Sequence, residues 1–161
     1  MPIKQLEYNS YANHEDFMED CYKIYKRTWE NNPKFNFKVI QRKTELINEK
    51  ETSFWDITEG HNDSVIFEHF ERYIAIPFFE YILVNTNSSG NGETDDIIWY
   101  TVRRTVNIIS KKYNYLIVVS ERKSKCFLIT AYPISENKKL KKIKDWYQAQ
   151  RYKKTEAAKT N

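Results

Sequence analysis

A segment near the middle of the chain concentrates side chains that can carry protons. It holds His61 and His69, with Glu68 and Glu71 on either side of the second histidine. A ribonuclease that works without a metal needs such groups, because it must take a proton from the 2′-hydroxyl of RNA and give one to the leaving 5′-oxygen. His61 and His69 are therefore candidate catalytic residues, and the pattern leaves open which of these groups is the base.

The same chemistry needs cations and hydrogen-bond donors for the negative charge that builds up around phosphorus. Arg72 and Arg103 are candidate catalytic clamps, because a guanidinium makes two-pronged contacts with phosphate. Thr130 and Tyr132 are candidate donors that share one face of a strand. The residues expected to bind RNA around this centre are Trp99, by stacking on an unpaired base as Tyr100 also could, and the cations Arg104, Arg122, Lys123 and Lys125.

Each of these residues also has an ordinary structural explanation. His61 follows Gly60 in a polar loop and could be a surface turn residue, and His69 could pair with a carboxylate. Arg72 lies among apolar residues, where a structural salt bridge is an alternative. No role in catalysis or RNA binding is needed to explain three residues whose types are common in strands and cores, namely Thr130, Tyr132 and Trp99.

Other kinds of chemistry find little support in the sequence. The three histidines have no metal-ligand spacing, so neither a metal nor a cofactor is expected. The chain has no nucleophile-elbow motif and no dinucleotide-binding fingerprint. Cys21 and Cys126 form no disulfide framework and are expected in the core, which fits a reducing cytoplasm. No apolar run is long enough to cross a membrane.

Residues 113–135 predict the clearest element that could position these side chains. Two runs rich in β-branched and aromatic residues, 116–119 and 127–130, flank a short basic connection. This pattern indicates an antiparallel hairpin in the middle of a sheet. Pro133 should end the second strand, because proline has no N–H to donate.

Three other segments predict extended backbone. Residues 35–39 alternate apolar and polar positions, and residues 52–58 are rich in aromatic and β-branched types. Residues 97–109 predict either one long strand or two strands joined by a bend, since Arg103 and Arg104 interrupt an apolar run.

Apolar residues repeat at helical spacing in the first half. Residues 13–30 predict a helix with Asn13 as its N-cap. A second helix is predicted over 63–74, before Pro77 breaks or kinks it. Residues 78–84 fit either a further helical piece or a strand.

The chain ends in a predicted basic helix over 136–152. Leu140, Ile143 and Tyr147 are expected to be its buried stripe, with the neighbouring lysines exposed. Residues 153–161 are expected to be a frayed tail. Helices followed by consecutive strands and a last helix predict one α+β domain over 1–161.

The net charge of +4 conceals an uneven distribution along the chain. Residues 1–102 hold 10 Lys and Arg against 18 Asp and Glu, whereas residues 103–161 hold 16 against 4. A strongly positive segment favours a polyanion such as nucleic acid as its partner. A solvated lysine-rich surface is the alternative explanation.

Several of these segments together resemble small prokaryotic and phage-borne proteins of the barnase/EndoU/colicin/RelE-like (BECR) superfamily. The resemblance covers about half of the chain. Its pieces are Phe-Trp-Asp-Ile-Thr-Glu-Gly at 54–60, His-Phe-Glu-Arg-Tyr-Ile at 69–74, Trp99, Arg103 with Arg104, Tyr-Leu-Ile-Val-Val at 115–119 and Leu-Ile-Thr-Ala-Tyr at 128–132.

The resemblance implies an N-terminal helical part packed on a four- to five-stranded antiparallel sheet. It also implies metal-independent RNA cleavage that leaves a 2′,3′-cyclic phosphate and a 5′-hydroxyl, often by a toxin held by an antitoxin protein. It implies that His69 or His61, Arg72, Arg103 and Thr130 with Tyr132 lie on the open face of the sheet. One position departs from the pattern, because the relatives carry a histidine after Phe-Trp where this chain has Asp56. Either His61 takes that role or the chain has lost an acid/base group.

Three functions are therefore open at this level. The first is a cytoplasmic RNase-like toxin, as the resemblance implies. The second is a non-catalytic RNA- or partner-binding accessory protein of a phage or mobile-element defence system, which could use the same basic surface. The third is a different phosphate-handling enzyme, such as a nucleotidyl or ADP-ribosyl transferase, which would need a nucleotide pocket.

Overall fold

The computed structural model describes residues 2–60, 67, 69–86 and 93–160, with side chains as far as Arg151. These residues form helices and a mixed sheet, so the predicted α+β class is confirmed. Among the described residues the α-helices are α1 (His14–Glu30), α2 (Thr52–Thr58), α3 (Phe70–Ile74), α4 (Ile76–Asn85) and α5 (Glu136–Thr160).

Most of the strands belong to one sheet. They are β1 (Lys34–Phe35), β2 (Lys38–Gln41), β3 (Leu46–Ile47), β4 (Lys50–Glu51), β5 (Ile97–Val102), β6 (Thr105–Ser110), β7 (Tyr115–Arg122) and β8 (Lys125–Pro133). Among the described residues the large sheet has six strands in the order β1-β2-β8-β7-β6-β5, and β3 pairs with β4 in a separate two-stranded sheet.

The prediction of four or five antiparallel strands is wrong in two respects. The sheet has six strands, and β2 runs parallel to β8, with Ile40 opposite Cys126 and Gln41 opposite Phe127. Such a short pairing leaves no periodic signal in the sequence, because the preference of two residues cannot be told from that of a loop.

The hairpin predicted over 113–135 is confirmed as β7 and β8. A β-bulge interrupts it, since Val118 lies opposite Thr130 while Val119 lies opposite Leu128. The bulge inserts one extra residue and therefore changes which face the following side chains take. As a result Leu128 and Ala131 both enter the main core.

Two shorter hairpins flank this central one. Residues 97–109 form two strands, β5 and β6, joined by a turn at Arg103 and Arg104, which was one of the two alternatives. The single strand predicted over 35–39 is instead the β1–β2 hairpin, whose turn residues are Asn36 and Phe37.

The first helix forms as its sequence predicts. The Asn13 side chain accepts a hydrogen bond of 2.8 Å from the Asp16 backbone N–H, which confirms the cap. Phe17, Cys21 and Tyr25 lie on the buried face of α1, each fully buried. Helix α1 packs against α4 on one side of the sheet.

The prediction of extended backbone over 52–58 is wrong, because these residues form α2. Every residue from 53 to 58 is buried, so the segment has no polar face to reveal a helical period. The Thr58 hydroxyl donates to the Phe54 carbonyl at 2.8 Å and so adds one side-chain bond along the helix. Burial of all faces against α1 and β8 decides the conformation, although β-branched and aromatic residues favour strands.

The helix predicted over 63–74 is only partly observed. Residues 61–66 and 68 lie outside the described residues, and Phe67 has a left-handed φ of 52° outside any helix. The described helix α3 begins at Phe70. Residues 78–84 are helical, and Pro77 lies in the first turn of α4, where its missing N–H costs nothing.

The two faces of the sheet are covered by different elements. Side chains of α1, α2 and α4 form the main core against one face, in agreement with the predicted packing of N-terminal helices. On the other face Ile98, Tyr100 and Leu116 pack with Ile143 and Trp146 of α5. Helix α5 continues to Thr160, beyond the predicted end at 152.

The buried stripe predicted for α5 is wrong at two of its three positions. Leu140 and Tyr147 are 59% and 57% exposed, whereas Ile143 does pack on the sheet. Two lysines also turn inward, with the Lys139 ammonium donating to the Lys111 carbonyl at 3.0 Å and that of Lys142 to Asn107. Lysine stems can cover apolar surface while their heads reach polar groups, which a hydrophobic pattern cannot reveal.

Candidate active site

Cations from two helices converge on Tyr132 of β8. The Lys138 ammonium of α5 donates to the Tyr132 hydroxyl oxygen at 3.2 Å and lies 4.8 Å from the centre of its ring. The Arg72 guanidinium of α3 lies 5.0 Å from the same ring centre. Both contacts are within the range of cation–π attraction, so the ring holds the two positive groups near one hydroxyl.

Lys142 adds a third cation to this group. It is one helical turn after Lys138, and its ammonium donates to Asn107 Oδ1 on β6 at 3.2 Å. Burial lowers the pKa of Lys142, and the charge of Lys138 adds to this, while Tyr132 and Asp145 oppose it. The direction of this shift favours the uncharged amine, which is the form that can accept a proton.

Arg72 has an unused donor on the inner side of its guanidinium. Its Nη1 atom is buried and has no hydrogen-bond partner among the described residues. Gly60 lies against it, and a Cβ added to Gly60 would make an ordinary van der Waals contact of 3.5 Å with Nη1. The positive φ of 74° at Gly60 favours glycine there. A buried charged donor without a partner is unfavourable, and because Nη1 is inaccessible to solvent, an oxyanion from solution would meet the other guanidinium nitrogens.

Thr130 has a structural bond that sequence reasoning did not anticipate. Its hydroxyl donates to the Asp56 carbonyl of α2 at 3.0 Å and so ties that helix to β8. The hydroxyl proton is therefore already engaged, and Thr130 positions α2 beside Tyr132. We refer to Arg72, Tyr132, Lys138 and Lys142 as the Tyr132 centre.

The histidines do not complete this centre in the described part of the chain. His69 lies just before α3, its side chain one-third exposed, with Nδ1 3.6 Å from a Glu71 carboxylate oxygen. Its backbone carbonyl accepts from the Arg72 N–H at 2.9 Å, so it shapes the start of α3. His61, like Glu68, lies outside the described residues.

Arg103 lies apart from Thr130 and Tyr132, against the prediction that these residues form one site. It lies in the β5–β6 turn, two residues before Thr105. Thr105 pairs with Ser120 of β7, and Ser120 in turn pairs with Phe127 of β8. Thr130 is three residues beyond Phe127, or about 10 Å further along the strand at about 3.3 Å per residue. Arg103 is also two strands away across the sheet.

Arg103 instead belongs to a group of exposed cations at one end of the sheet. The β5–β6 and β7–β8 turns lie side by side there, because Thr105 pairs with Ser120. We call this surface the basic end of the sheet; its cations are Arg103, Arg104, Arg122, Lys123 and Lys125, all exposed.

The two aromatic residues expected to stack on RNA bases are both buried. Trp99 is 6% exposed and packs edge-on against Phe35 with ring centres 6.1 Å apart. Tyr100 is also 6% exposed, on the face covered by α5. Neither ring has a free face for a base, because the first four residues of β5 are buried on whichever face of the sheet they lie.

Other functional groups are absent from the described part of the chain. No cluster of three or more His, Cys, Asp or Glu residues that could hold a metal ion occurs among the described residues. Cys21 and Cys126 are free and buried, as predicted, and burial raises the pKa of each thiol to about 12. No described helix is long and apolar enough to span a membrane.

Comparison with known proteins does not add to this picture. No family model, no curated protein and no solved structure matches this chain. No relative therefore supplies a role for any residue, and the roles follow from geometry and chemistry.

Sequence reasoning found Arg72 and Tyr132, which the fold brings together, but missed Lys138, Lys142 and Asn107. The two lysines are four residues apart, so they lie on one helix face, and this spacing was the available signal. A phosphate bound near them would meet the Arg72 guanidinium, the Lys138 ammonium and the Tyr132 hydroxyl. Such a group stabilises the extra negative charge of a pentavalent phosphorus intermediate.

Proposed function

We propose that this protein is a metal-independent endoribonuclease whose active site is the Tyr132 centre. It cuts RNA by attack of the 2′-hydroxyl on the neighbouring phosphorus, which leaves a 2′,3′-cyclic phosphate and a 5′-hydroxyl. The observation that carries the proposal is the convergence of Arg72 and Lys138 on the Tyr132 side chain.

Each member of the centre has a role in this reaction. The uncharged form of the Lys142 amine accepts the 2′-hydroxyl proton, and the bond from the 2′-oxygen to phosphorus forms. The Arg72 guanidinium binds the non-bridging phosphate oxygens. Tyr132 gives its proton to the leaving 5′-oxygen, and Lys138 stabilises the resulting phenolate. Lys142 then returns its proton to Tyr132, so the cycle leaves the protein unchanged.

We also propose membership of the BECR superfamily, because this reaction is the one that the resemblance implies. The packing of helices on one side of a largely antiparallel sheet agrees with that resemblance. On this proposal the protein is a cytoplasmic toxin or phage-defence protein, and an antitoxin inhibits it by covering the Tyr132 centre.

One observation favours a second function, RNA binding without cleavage. The exposed cations of the basic end lie at the opposite end of β7 and β8 from Tyr132, and they would bind RNA without it. The protein would then be an accessory protein that presents or protects RNA.

RNA cleavage by purified variants tests the first proposal. We expect the protein to cut RNA with EDTA present, and Tyr132→Phe to reduce the rate about a hundredfold, the typical effect of losing a general acid. Tyr147→Phe is the matched control, because Tyr147 is an exposed tyrosine of α5. RNA that stays intact would favour the second function, whereas equal cleavage rates for Tyr132→Phe and the unchanged protein would show that the Tyr132 centre is not the active site.

A further inference from the structure

The turn between β1 and β2 holds a residue that folding does not explain. Phe37 is 73% exposed, the highest exposure among the exposed large apolar residues described. Its φ is 66° and that of Asn36 is 51°, a pair of left-handed conformations that usually selects Asn followed by Gly. A bulky side chain is strained in this conformation, and an exposed ring regains nothing by burial.

Hydrogen bonds fix this turn against the neighbouring β7–β8 turn. Asn36 Nδ2 donates to both carboxylate oxygens of Glu121, at 3.2 and 3.1 Å. The Lys38 ammonium donates to Glu121 at 3.0 Å and to the Arg122 carbonyl at 3.3 Å. Phe37 lies between these two anchoring residues, so its ring is held beside the basic end of the sheet.

The charge around the ring is strongly positive. Lys38 neutralises Glu121, the one acidic residue within β7, β8 and the turn between them. Arg122, Lys123 and Lys125 follow Glu121 and are all exposed. A flat apolar ring among exposed cations is the combination that binds unpaired nucleotides, with bases stacked on the ring and phosphates on the cations.

We propose that the basic end of the sheet binds single-stranded RNA, with the Phe37 ring stacked on an unpaired base. Phe37, and not the buried Trp99, is then the aromatic ring on which an RNA base stacks. The proposal identifies single-stranded RNA as the substrate class of the ribonuclease proposed above, and the biological purpose of this binding depends on that function. Binding itself needs no cleavage, because Phe37 and the cations are separate from the Tyr132 centre.

The test uses a short single-stranded RNA with 2′-O-methyl riboses, which cannot supply the attacking hydroxyl. Its affinity is measured by fluorescence anisotropy for the whole protein and for Phe37→Gly. We expect Phe37→Gly to weaken binding about tenfold, the typical loss of one stacking contact. The same variant should raise the melting temperature, because glycine relieves the strained turn.

Leu46→Ala is the matched control, since Leu46 is 66% exposed but lies in the separate β3–β4 hairpin. It should leave the affinity unchanged, and Phe37→Trp should retain tight binding. Unchanged affinity in Phe37→Gly overturns the proposal, as does equal weakening by Leu46→Ala. Binding to vesicles of anionic phospholipid in place of RNA also overturns it. Tight, Phe37-dependent binding by a protein that cuts no RNA would contradict only the proposed ribonuclease.

Discussion

Two buried tyrosines show how the surroundings of one hydroxyl set its contribution to stability. The Tyr73 hydroxyl donates a short hydrogen bond to the buried Glu59 carboxylate. The Tyr115 hydroxyl is fully buried and has no hydrogen-bond partner among the described residues. Burial raises the pKa of both hydroxyls, and the Glu59 charge raises that of Tyr73 further.

We expect Tyr115→Phe and Tyr73→Phe to have opposite effects on the free energy of unfolding. Removing an unpaired buried hydroxyl should stabilise the protein by about 1 kcal/mol, whereas removing the Tyr73 hydroxyl should destabilise it by about 2 kcal/mol, because Glu59 then loses a buried donor. Urea unfolding of both variants measures the difference. Equal destabilisation would show that Tyr115 has a partner after all.

Stability should also fall in alkaline solution. Burial raises the pKa of Tyr81 and Tyr100 from 10.0 to about 12, so the unfolded chain loses these protons first. The unfolded state then binds fewer protons, and the free energy of unfolding decreases as the pH rises from 10 towards 12. Lys142 acts in the opposite direction below its ordinary pKa of 10.5, since its pKa is lowered on folding.

Urea unfolding across this pH range checks the prediction. Tyr100→Phe should make the decline less steep, because one of the titrating groups is gone. The exposed Tyr147 provides the control, as Tyr147→Phe should leave the slope unchanged. A free energy of unfolding that stays constant or rises between pH 10 and pH 12 would contradict the claim that folding raises the pKa of Tyr81 and Tyr100.

The elements differ in how far the sequence predicts them. Helix α1 and the hairpin of β7 and β8 are long and strongly patterned, and both form as expected. Helix α2 is short and buried on all faces, so its residues carry no period that separates helix from strand. The parallel pairing of β2 with β8 is set by a contact between distant segments, which local patterns cannot show.

The candidate site also contains residues that the sequence could identify and contacts that only the fold reveals. Tyr132 and Arg72 could be chosen from their types, but only the fold shows that Arg72 packs on the Tyr132 ring. Arg103 could not be excluded from sequence, because the register of the sheet decides its distance from Thr130. Lys142 was missed since a lysine in a basic helix is normally solvated.

The orientation of α5 can be tested with two substitutions on neighbouring turns. Ile143→Ala should destabilise the protein by roughly 2 kcal/mol, because Ile143 packs against the sheet. Leu140→Ala should change stability by less than about 0.5 kcal/mol, since Leu140 is exposed. Thermal or urea unfolding gives both values. The reverse order would mean that α5 presents the face predicted from its hydrophobic pattern.

In the whole folded molecule, the uneven charge along the sequence becomes an uneven distribution of charge over the surface. The basic segment 103–161 forms the turns at the basic end and helix α5, while the acidic segment 1–102 supplies most of the core helices. Lys138 and Lys142 extend positive charge to the Tyr132 centre. RNA long enough to extend from the basic end to the Tyr132 centre would therefore meet cations at both.

This arrangement predicts a strong effect of salt on RNA affinity. Binding should weaken as salt rises, and each lost phosphate contact should reduce the slope of log affinity against log salt by about 0.7 for a single strand. Arg104→Ala and Lys123→Ala should each do so in an anisotropy titration. Lys4→Ala is the control, because Lys4 is exposed and follows Ile3, which bonds Tyr113 at the opposite end of the sheet. An equal effect of all three changes would mean that the attraction is not localised.

Sequencing of RNA ends after brief expression tests the central claim most directly. The Tyr132 centre predicts new 5′-hydroxyl ends paired with 2′,3′-cyclic phosphate ends in cells that express the protein. Tyr132→Phe should lose these ends, and Tyr147→Phe should keep them. RNA without new ends, or the same ends in cells that express Tyr132→Phe, would contradict the claim that this centre cleaves RNA.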